Sequence, residues 1–388
     1  MGVETRRAAA AGRHKKQPPI LSHEFVIQNH GDIASAVLMI FILGLMFPLT
    51  SDLASVFILP QYNETVPAVT ETGTAGEMTM YRSGRRDVYT MFFYTVVMIV
   101  FHAVIQEYIL DKLQRKVHLS KVKMFKFTES GHQVIFALAS VIFGGYVIQE
   151  IFQHDWDIKK LWVDYPEAHR LMTIQLKFYA MIQIAYWLHQ FPEFYFQKFK
   201  MDEIRQRAIP SVIYIALVGA AYFMNFTRFA IVLLTLEYIQ QVVFHTARLA
   251  HFLEKKSVAQ TLFRAWNFVF VAVRLASAVL TSVTFWYGLK QSEVVNIDVQ
   301  AGNFNTSLVR LNAILFLLGL QLYQVYNFMS FHVQRYKERS GKGKKDKKTS
   351  QHQLPQKKSK KTDESESEDT SSSSQKSPAE AKKKNKKD

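Results

Sequence analysis

The sequence predicts an all-α, polytopic integral membrane protein of about eight transmembrane helices, followed by a disordered basic C-terminal tail. Three observations predict it. Apolar stretches of about 20 residues, the length of helix that crosses a bilayer, recur along the chain to about Phe331. Ionisable and amide side chains are set inside several of these stretches, where each would cost roughly 2.5–3.5 kcal/mol if it faced lipid. From His332 onward the apolar runs stop: that segment carries 18 Lys/Arg against 9 Asp/Glu, so +9 of the formal +16 lies where no core can be buried. The mean hydropathy of −0.03 is thus an average over two unlike parts. Barrel strands would be about 10 residues long and alternating; these stretches are longer and continuous.

Taken in order, residues 1–30 form a small, basic cytosolic arm without the apolar core of a signal peptide. Gly2 is followed by Arg6 where a myristoylation signal requires Ser or Thr. The spans are expected at about 33–58, with Pro48 as a kink, and at 88–110, 132–151, 171–194, 208–224, 229–250, 265–288 and 311–331. These divide into a first pair (31–117, enclosing a loop at 60–87), a group of six (118–335) and the tail (336–388). Cations concentrate in alternate loops. Lys112, Arg115, Lys116, Lys121, Lys123 and Lys126 follow the second span, Lys198, Lys200, Arg205 and Arg207 the fourth, and Lys255, Lys256 and Arg264 the sixth. Under the positive-inside rule this pattern places both termini in the cytosol. Asn63-Glu64-Thr65 then falls in a non-cytosolic loop as a glycosylation acceptor, whereas Asn225 and Asn305 lie too close to spans. In the tail, Ser365 has acids one and three residues on and Ser367 has acids one and two residues on, a pattern suited to phosphorylation. Its flanking basic blocks suit anionic lipid or ribosomal RNA.

The absence of cysteine excludes disulfides, thiol nucleophiles, zinc thiolates and palmitoylation. No HExxH pattern or Gly-rich phosphate loop is present, and no metal or cofactor is expected. The polar residues within spans instead suggest a functional interior. Gln175, Lys177, Gln183, His189, Glu193, Glu237, Gln241 and His245 are the candidates for lining a groove that receives a signal sequence or lipid. His102, Glu107, Glu150 and Arg274 are candidates for pairing helices. The plainer alternative is that all of them pair with polar partners on neighbouring helices, as buried polar groups must.

SHEFVIQNHGDI (22–33), HAVIQEYILDKLQRKVHLSKVK (102–123), FTESG (127–131), QLKFYAMIQIAYWLHQFPEFYFQK (175–198) and AGNFN (301–305) closely resemble the translocating-chain-associated membrane protein family of the endoplasmic reticulum. That family belongs to the TLC-domain superfamily, which also holds the ceramide synthases, and the domain would cover 118–335. The resemblance implies a non-enzymatic, multi-pass protein of that membrane beside the Sec translocon. There it would contact signal sequences and nascent chains, with membrane phospholipids as neighbours and the ribosome reached through the basic tail. It also disfavours acyl transfer. Where the synthases carry a paired histidine this chain has Ile209-Pro210 or Pro210-Ser211, and Glu237-Tyr238 and Gln241 stand at their later His-Asp positions. A lipid-binding or lipid-modifying TLC protein is the alternative reading.

Overall fold

The computed structural model describes residues 19, 22–69, 75–117, 119–153 and 155–349. Most of the N-terminal arm, Ser365, Ser367 and the acidic and distal basic blocks of the tail lie outside the described residues. The described residues form two compact units, one ending at Phe328 and one beginning at Met329.

The first unit is built almost wholly of helices. A short α1 (His23–Gln28), capped by the Ser22 hydroxyl, leads into α2 (His30–Met46) and α3 (Pro48–Ile58). A two-stranded hairpin, β1 (Asn63–Val69) and β2 (Ala75–Tyr81), follows with Asn63 opposite Tyr81. Then come α4 (Asp87–Lys116), α5 (Lys121–Phe152), the short α6 (Glu167–Arg170), α7 (Ile174–Phe196), α8 (Met201–Phe223), α9 (Thr227–Phe252) and α10 (Lys256–Ser292). The last helix, α11 (Ser307–Thr349), carries the chain into the second unit. Within that unit Arg335 lies over the Phe331 ring at 5.0 Å.

Six helices among the described residues are long and apolar enough to cross a membrane: α4, α5, α8, α9, α10 and α11 as far as Glu338. The chain is therefore an all-α polytopic membrane protein. Two of the eight expected spans take a different form. The stretch 33–58 is not one kinked helix. Pro48 starts a new helix, where its missing N–H costs nothing, and the chain reverses. A Cβ built on Gly44 would stand 3.2 Å from that of Ala54, and Phe41 meets Phe57 at 4.8 Å between ring centroids. In a continuous helix residues ten apart are about 15 Å apart. The Thr50 hydroxyl closes the reversal by donating to the Gly44 carbonyl at 2.7 Å.

The other exception is α7, over the expected span 171–194. It falls short of the apolar composition of a span because Lys177, Gln183, His189 and Glu193 are on it. All four are 2% exposed or less. The helix is largely enclosed, with α4 and α8 as its main neighbours, and Ile174, Phe191 and Tyr195 are its exposed apolar side chains. Around it Met91, Phe136, Leu176, Tyr179, Ile184, Trp187, Val218 and Tyr238 form the main core.

The longest interhelical seam runs between α5 and α9, and Gly144 permits its closest approach. A Cβ at Gly144 would stand 2.5 Å from the Thr235 hydroxyl and 3.2 Å from that of Tyr179, while one at Gly145 would meet nothing within 4 Å. Gly144→Ala should therefore destabilise the bundle by about 1–3 kcal/mol through overpacking. Gly145→Ala should be neutral or stabilise it by roughly 0.4–1 kcal/mol. Thermal unfolding of the two variants in detergent reads the difference directly; equal midpoints would contradict the assigned packing.

Candidate functional site

The interior polar residues fall into three separate clusters and do not line one continuous groove. The first ties the loop hairpin to the bundle. Lys177 on α7 pairs with Asp87 at the start of α4 at 2.8 Å, both fully buried. Its ammonium also donates to the carbonyls of Gln61 at 2.6 Å and Arg82 at 2.7 Å, on either side of the β-hairpin. The other Asp87 oxygen accepts from the Tyr222 hydroxyl at 2.7 Å and the Gly84 N–H at 2.8 Å. Each charge is thus offset and its hydrogen-bonding capacity used, which is what allows a buried pair to persist. Lys177 is at the centre of this node.

The second cluster gathers histidines from three helices. His102 of α4 and His132 of α5 stack with ring centroids 3.7 Å apart. His189 of α7 reaches His102 at 3.4 Å and bonds the Tyr186 carbonyl through Nδ1. The Gln197 amide donates to His102 Nε2 at 3.4 Å and to Glu193 at 3.0 Å. These contacts run in a line from Gln197 through His102 and His189 to the Tyr186 carbonyl. Glu193 lies 3.7 Å from His102 and 3.9 Å from His30, and His30 stacks on Phe196 at 4.5 Å. A π-helical turn in α4, Ile105–Leu110, carries Gln106, which joins His132 at 3.1 Å to Asp111 at 2.6 Å. Such turns recur at functional positions. Gly131 admits Leu110 of this turn, whose methyl would otherwise sit 2.4 Å from a Cβ. A small cleft between α4 and α5, floored by α7, is lined by Met98, Phe101, His102, His132, Phe136 and His189. It has room for about one water molecule.

The third cluster is a polar row across α8, α9, α10 and α11. Glu237 forms an ion pair with Arg274, and the same guanidinium reaches Gln321 at 2.9 Å as well as Gln324. Gln240 donates to Glu237 at 2.9 Å, Gln241 donates to the Tyr214 hydroxyl at 2.8 Å, and Trp266 donates to Gln240 at 3.0 Å. Arg274 thereby pairs helices, and Glu237 and Gln241 share its network.

Gln183 is held apart from all three, accepting from Tyr238 at 2.6 Å and donating to Ser140 at 3.1 Å. Gln175 is half-buried at the start of α7. Glu107 is exposed on the outside of the π turn and joins no helices. Glu150 keeps one carboxylate oxygen buried without a hydrogen bond, beside the Thr173 hydroxyl. His245 is likewise left with an unpartnered Nδ1 among the described residues. No group of three or more His, Asp or Glu side chains among the described residues is arranged to hold a metal ion.

Sequence reasoning missed Asp87, His30 and His132. Asp87 stands just before the expected second span, where an acid at a helix start draws no notice. His132 is six residues after the last of the expected loop cations, Lys126, and its stacking with His102 and its bond to Gln106 give it a place in the cluster. Of the three sequons, Asn63 is exposed on β1. The Asn305 amide is fully buried and donates to Leu289, the Ser292 carbonyl and the Ser292 hydroxyl at 2.6–3.0 Å. The Asn225 amide, also buried, donates to the Gly302 carbonyl at 2.9 Å. Neither of the latter presents an accessible acceptor.

The bundle end that carries Asn225 and Asn305 is knitted by loops. The Tyr165 hydroxyl, which burial pushes up to about 12, donates to Met224 at 2.9 Å and accepts from the Phe304 N–H at 3.1 Å. Next to it His169 is buried, donating from Nε2 to the Val163 carbonyl at 3.0 Å.

These features define a polytopic helical membrane protein of the TLC-domain class, and the family model described as the TLC domain matches residues 126–330. Translocating chain-associated membrane protein 2 of Homo sapiens is 39% identical over 326 residues, covering 84% of this chain and 85% of that protein; the Mus musculus protein of the same name matches equally. The chain belongs to the translocating chain-associated membrane protein family. A more distant likeness, 30% identity over 173 residues, joins it to the sphingosine N-acyltransferase-like protein ALT7 of Alternaria alternata, covering 45% of this chain and 39% of that protein.

Two outcomes test the buried groups. Lys177→Met leaves the Asp87 carboxylate buried and unpaired, and should destabilise the protein by about 3–5 kcal/mol. Adding Asp87→Leu should recover much of that loss, as measured by thermal unfolding in detergent. The second outcome concerns pH. Burial first, and the Arg228 charge second, lower His169 from 6.5 to about 3, opposed by its bond to Val163. The unfolded chain takes up this proton near pH 6.5 and the folded protein does not. The contribution is therefore complete above that pH and lost progressively as pH falls toward 3. Between pH 7.5 and 5 this amounts to about 2 kcal/mol. The unfolding midpoint should fall less over that interval in His169→Gln than in the parent protein; an equal fall in both would rule the linkage out.

Proposed function

We propose that this protein is a non-enzymatic factor of the endoplasmic reticulum membrane. It assists co-translational translocation or insertion of nascent chains at the Sec translocon by contacting signal sequences. Family membership supports this reading, as do the printed names of the relatives. The observation that carries it to particular residues is the cleft between α4 and α5. Its rim offers Phe101, 44% exposed, and its floor is the His102–His132–His189 cluster. A signal sequence leaving the channel must carry polar flanks across lipid, at a cost of several kcal/mol for each unpaired group. A seam that is apolar outside and rich in imidazole and amide inside lowers that cost for a chain passing along it. The charge pattern supports cytosolic termini, with β1, β2 and a glycosylated Asn63 on the lumenal side.

The test is photocrosslinking in microsomes depleted of this protein and resupplied with it, using a ribosome-bound secretory chain. A benzophenone side chain at Phe101 should label the signal sequence, and one at Tyr323 on the exposed face of α11 should label it weakly. Equal labelling at both sites, or none at Phe101 with no rescue of translocation, would sink the reading.

Lipid binding is the second reading, favoured by the acyltransferase-like relative. The positions that would carry acyl-transfer chemistry hold Pro210, Ser211, Glu237, Tyr238 and Gln241. The Ser211 hydroxyl is taken up by the Arg207 carbonyl at 3.2 Å, and Glu237 by Arg274. This supports binding without transfer. A stoichiometric acyl lipid retained by the purified protein, together with failed rescue of translocation, would shift the weight to it.

A further inference from the structure

At the bundle end opposite Tyr165 and His169, two arginines from different helices converge on one carboxylate. Arg207 of α8 lies 3.0 Å from Glu129 of α5, and Arg248 of α9 lies 3.8 Å from its other oxygen. Two guanidinium groups facing one carboxylate leave a net positive charge. Together they carry ten N–H donors, of which Glu129 takes one within hydrogen-bonding range among the described residues. Lys126 stands one turn before Glu129 on the same face of α5. One turn before Arg248, His245 keeps its buried, unpartnered Nδ1.

The setting specifies what such a charge would meet. The Arg207 guanidinium lies over the rings of Phe125 at 4.9 Å and Phe199 at 4.5 Å. Arg248 lies over Phe244 at 5.7 Å and Phe252 at 5.9 Å. The aromatic faces fix the planar forks in place. Their side chains are 28% and 24% exposed, so they are accessible without standing out into water. Val122, Met201 and Leu253 at the adjoining helix ends are exposed and apolar, which places the pair at the level of the membrane interface. A lipid phosphate sits at that depth, whereas the backbone of a large RNA would have to leave the aqueous phase to reach it. Paired guanidinium forks match phosphate oxygens, and basic pockets between helix ends are a recurrent form of headgroup recognition.

We propose that Arg207 and Arg248 form a binding site for the phosphate of an anionic lipid headgroup, with Glu129 as the internal carboxylate that holds the forks in place when no lipid is bound. A phosphomonoester, carrying more charge and more free oxygens than a diester, is the preferred class. The lipid exchanges for Glu129 on the arginines, so removing the acid charge strengthens binding even though it deletes an ion pair from the structure.

The experiment uses the full chain in nanodiscs of phosphatidylcholine with a few per cent of phosphatidic acid, phosphatidylserine or neither, with retained lipid and unfolding midpoint measured together. Phosphatidic acid should be retained and should raise the midpoint, phosphatidylserine should do so less, and phosphatidylcholine not at all. Arg207→Gln and Arg248→Gln should each weaken retention by about fivefold, and Glu129→Gln should increase it. Unchanged retention in both arginine variants, or reduced retention in Glu129→Gln, would overturn the proposal. Should the arginine variants fail to fold, Glu129→Gln alone decides it by the direction of its effect. Soluble glycerol phosphate giving the same midpoint shift as phosphatidic acid would reduce the site to an anion site and refute the lipid assignment. Indifference to lipid, with loss of ribosomal RNA binding in the arginine variants, would refute it too.

Discussion

Everything in this bundle is arranged around the need to satisfy the polar side chains of α7. A helix with Lys177, Gln183, His189 and Glu193 along 17 residues cannot face hydrocarbon, because each uncompensated group costs several kcal/mol there. The other helices supply what those groups require. Asp87 of α4 and Tyr222 of α8 meet the charge at one end. Ser140 of α5 and Tyr238 of α9 meet the amide in the middle. His102 of α4 and the N-terminal His30 approach Glu193 at the other end. The groups of α7 are thus answered from α4, α5, α8 and α9, while a separate polar row joins α8, α9, α10 and α11.

The helical, polytopic nature of the chain was legible because lipid leaves few alternatives. Unbroken apolar runs of 20 residues have no other stable form. Two parts were not legible, for different reasons. Pro48 is compatible with a kink or with the first turn of a new helix, and only the contact of Gly44 with Ala54 decides between them. Polar residues inside apolar runs stand out in the sequence, but spacing along one helix says nothing of which neighbour answers them. Lys177 and His189 both read as groove residues, yet one is locked into an ion pair and the other lines a cleft. Asp87, the partner that fixes Lys177, was overlooked because it stands one residue before the expected span.

The two sides of the TLC framework differ in burial. Around α7, Lys177, Gln183, His189 and Glu193 are buried. Along α8 and α11, by contrast, outward residues such as Ile209, Val212, Leu315 and Tyr323 are widely exposed, and the polar row from Tyr214 through Glu237 to Gln324 ties them to the centre.

The composition of α7 also bears on how the protein is made. A segment too polar to partition into lipid by itself enters the bilayer only when its counterparts are already there. Asp87 and His102 precede it in the chain and are available as it emerges from the ribosome; Tyr222 and Tyr238 are synthesised later. The nascent protein therefore passes through an interval in which α7 has its partners on α2, α4, α5 and the hairpin carbonyls but not yet those on α8 and α9. The order of residues along the chain has placed the charged partner, the one α7 can least do without, among those that arrive first.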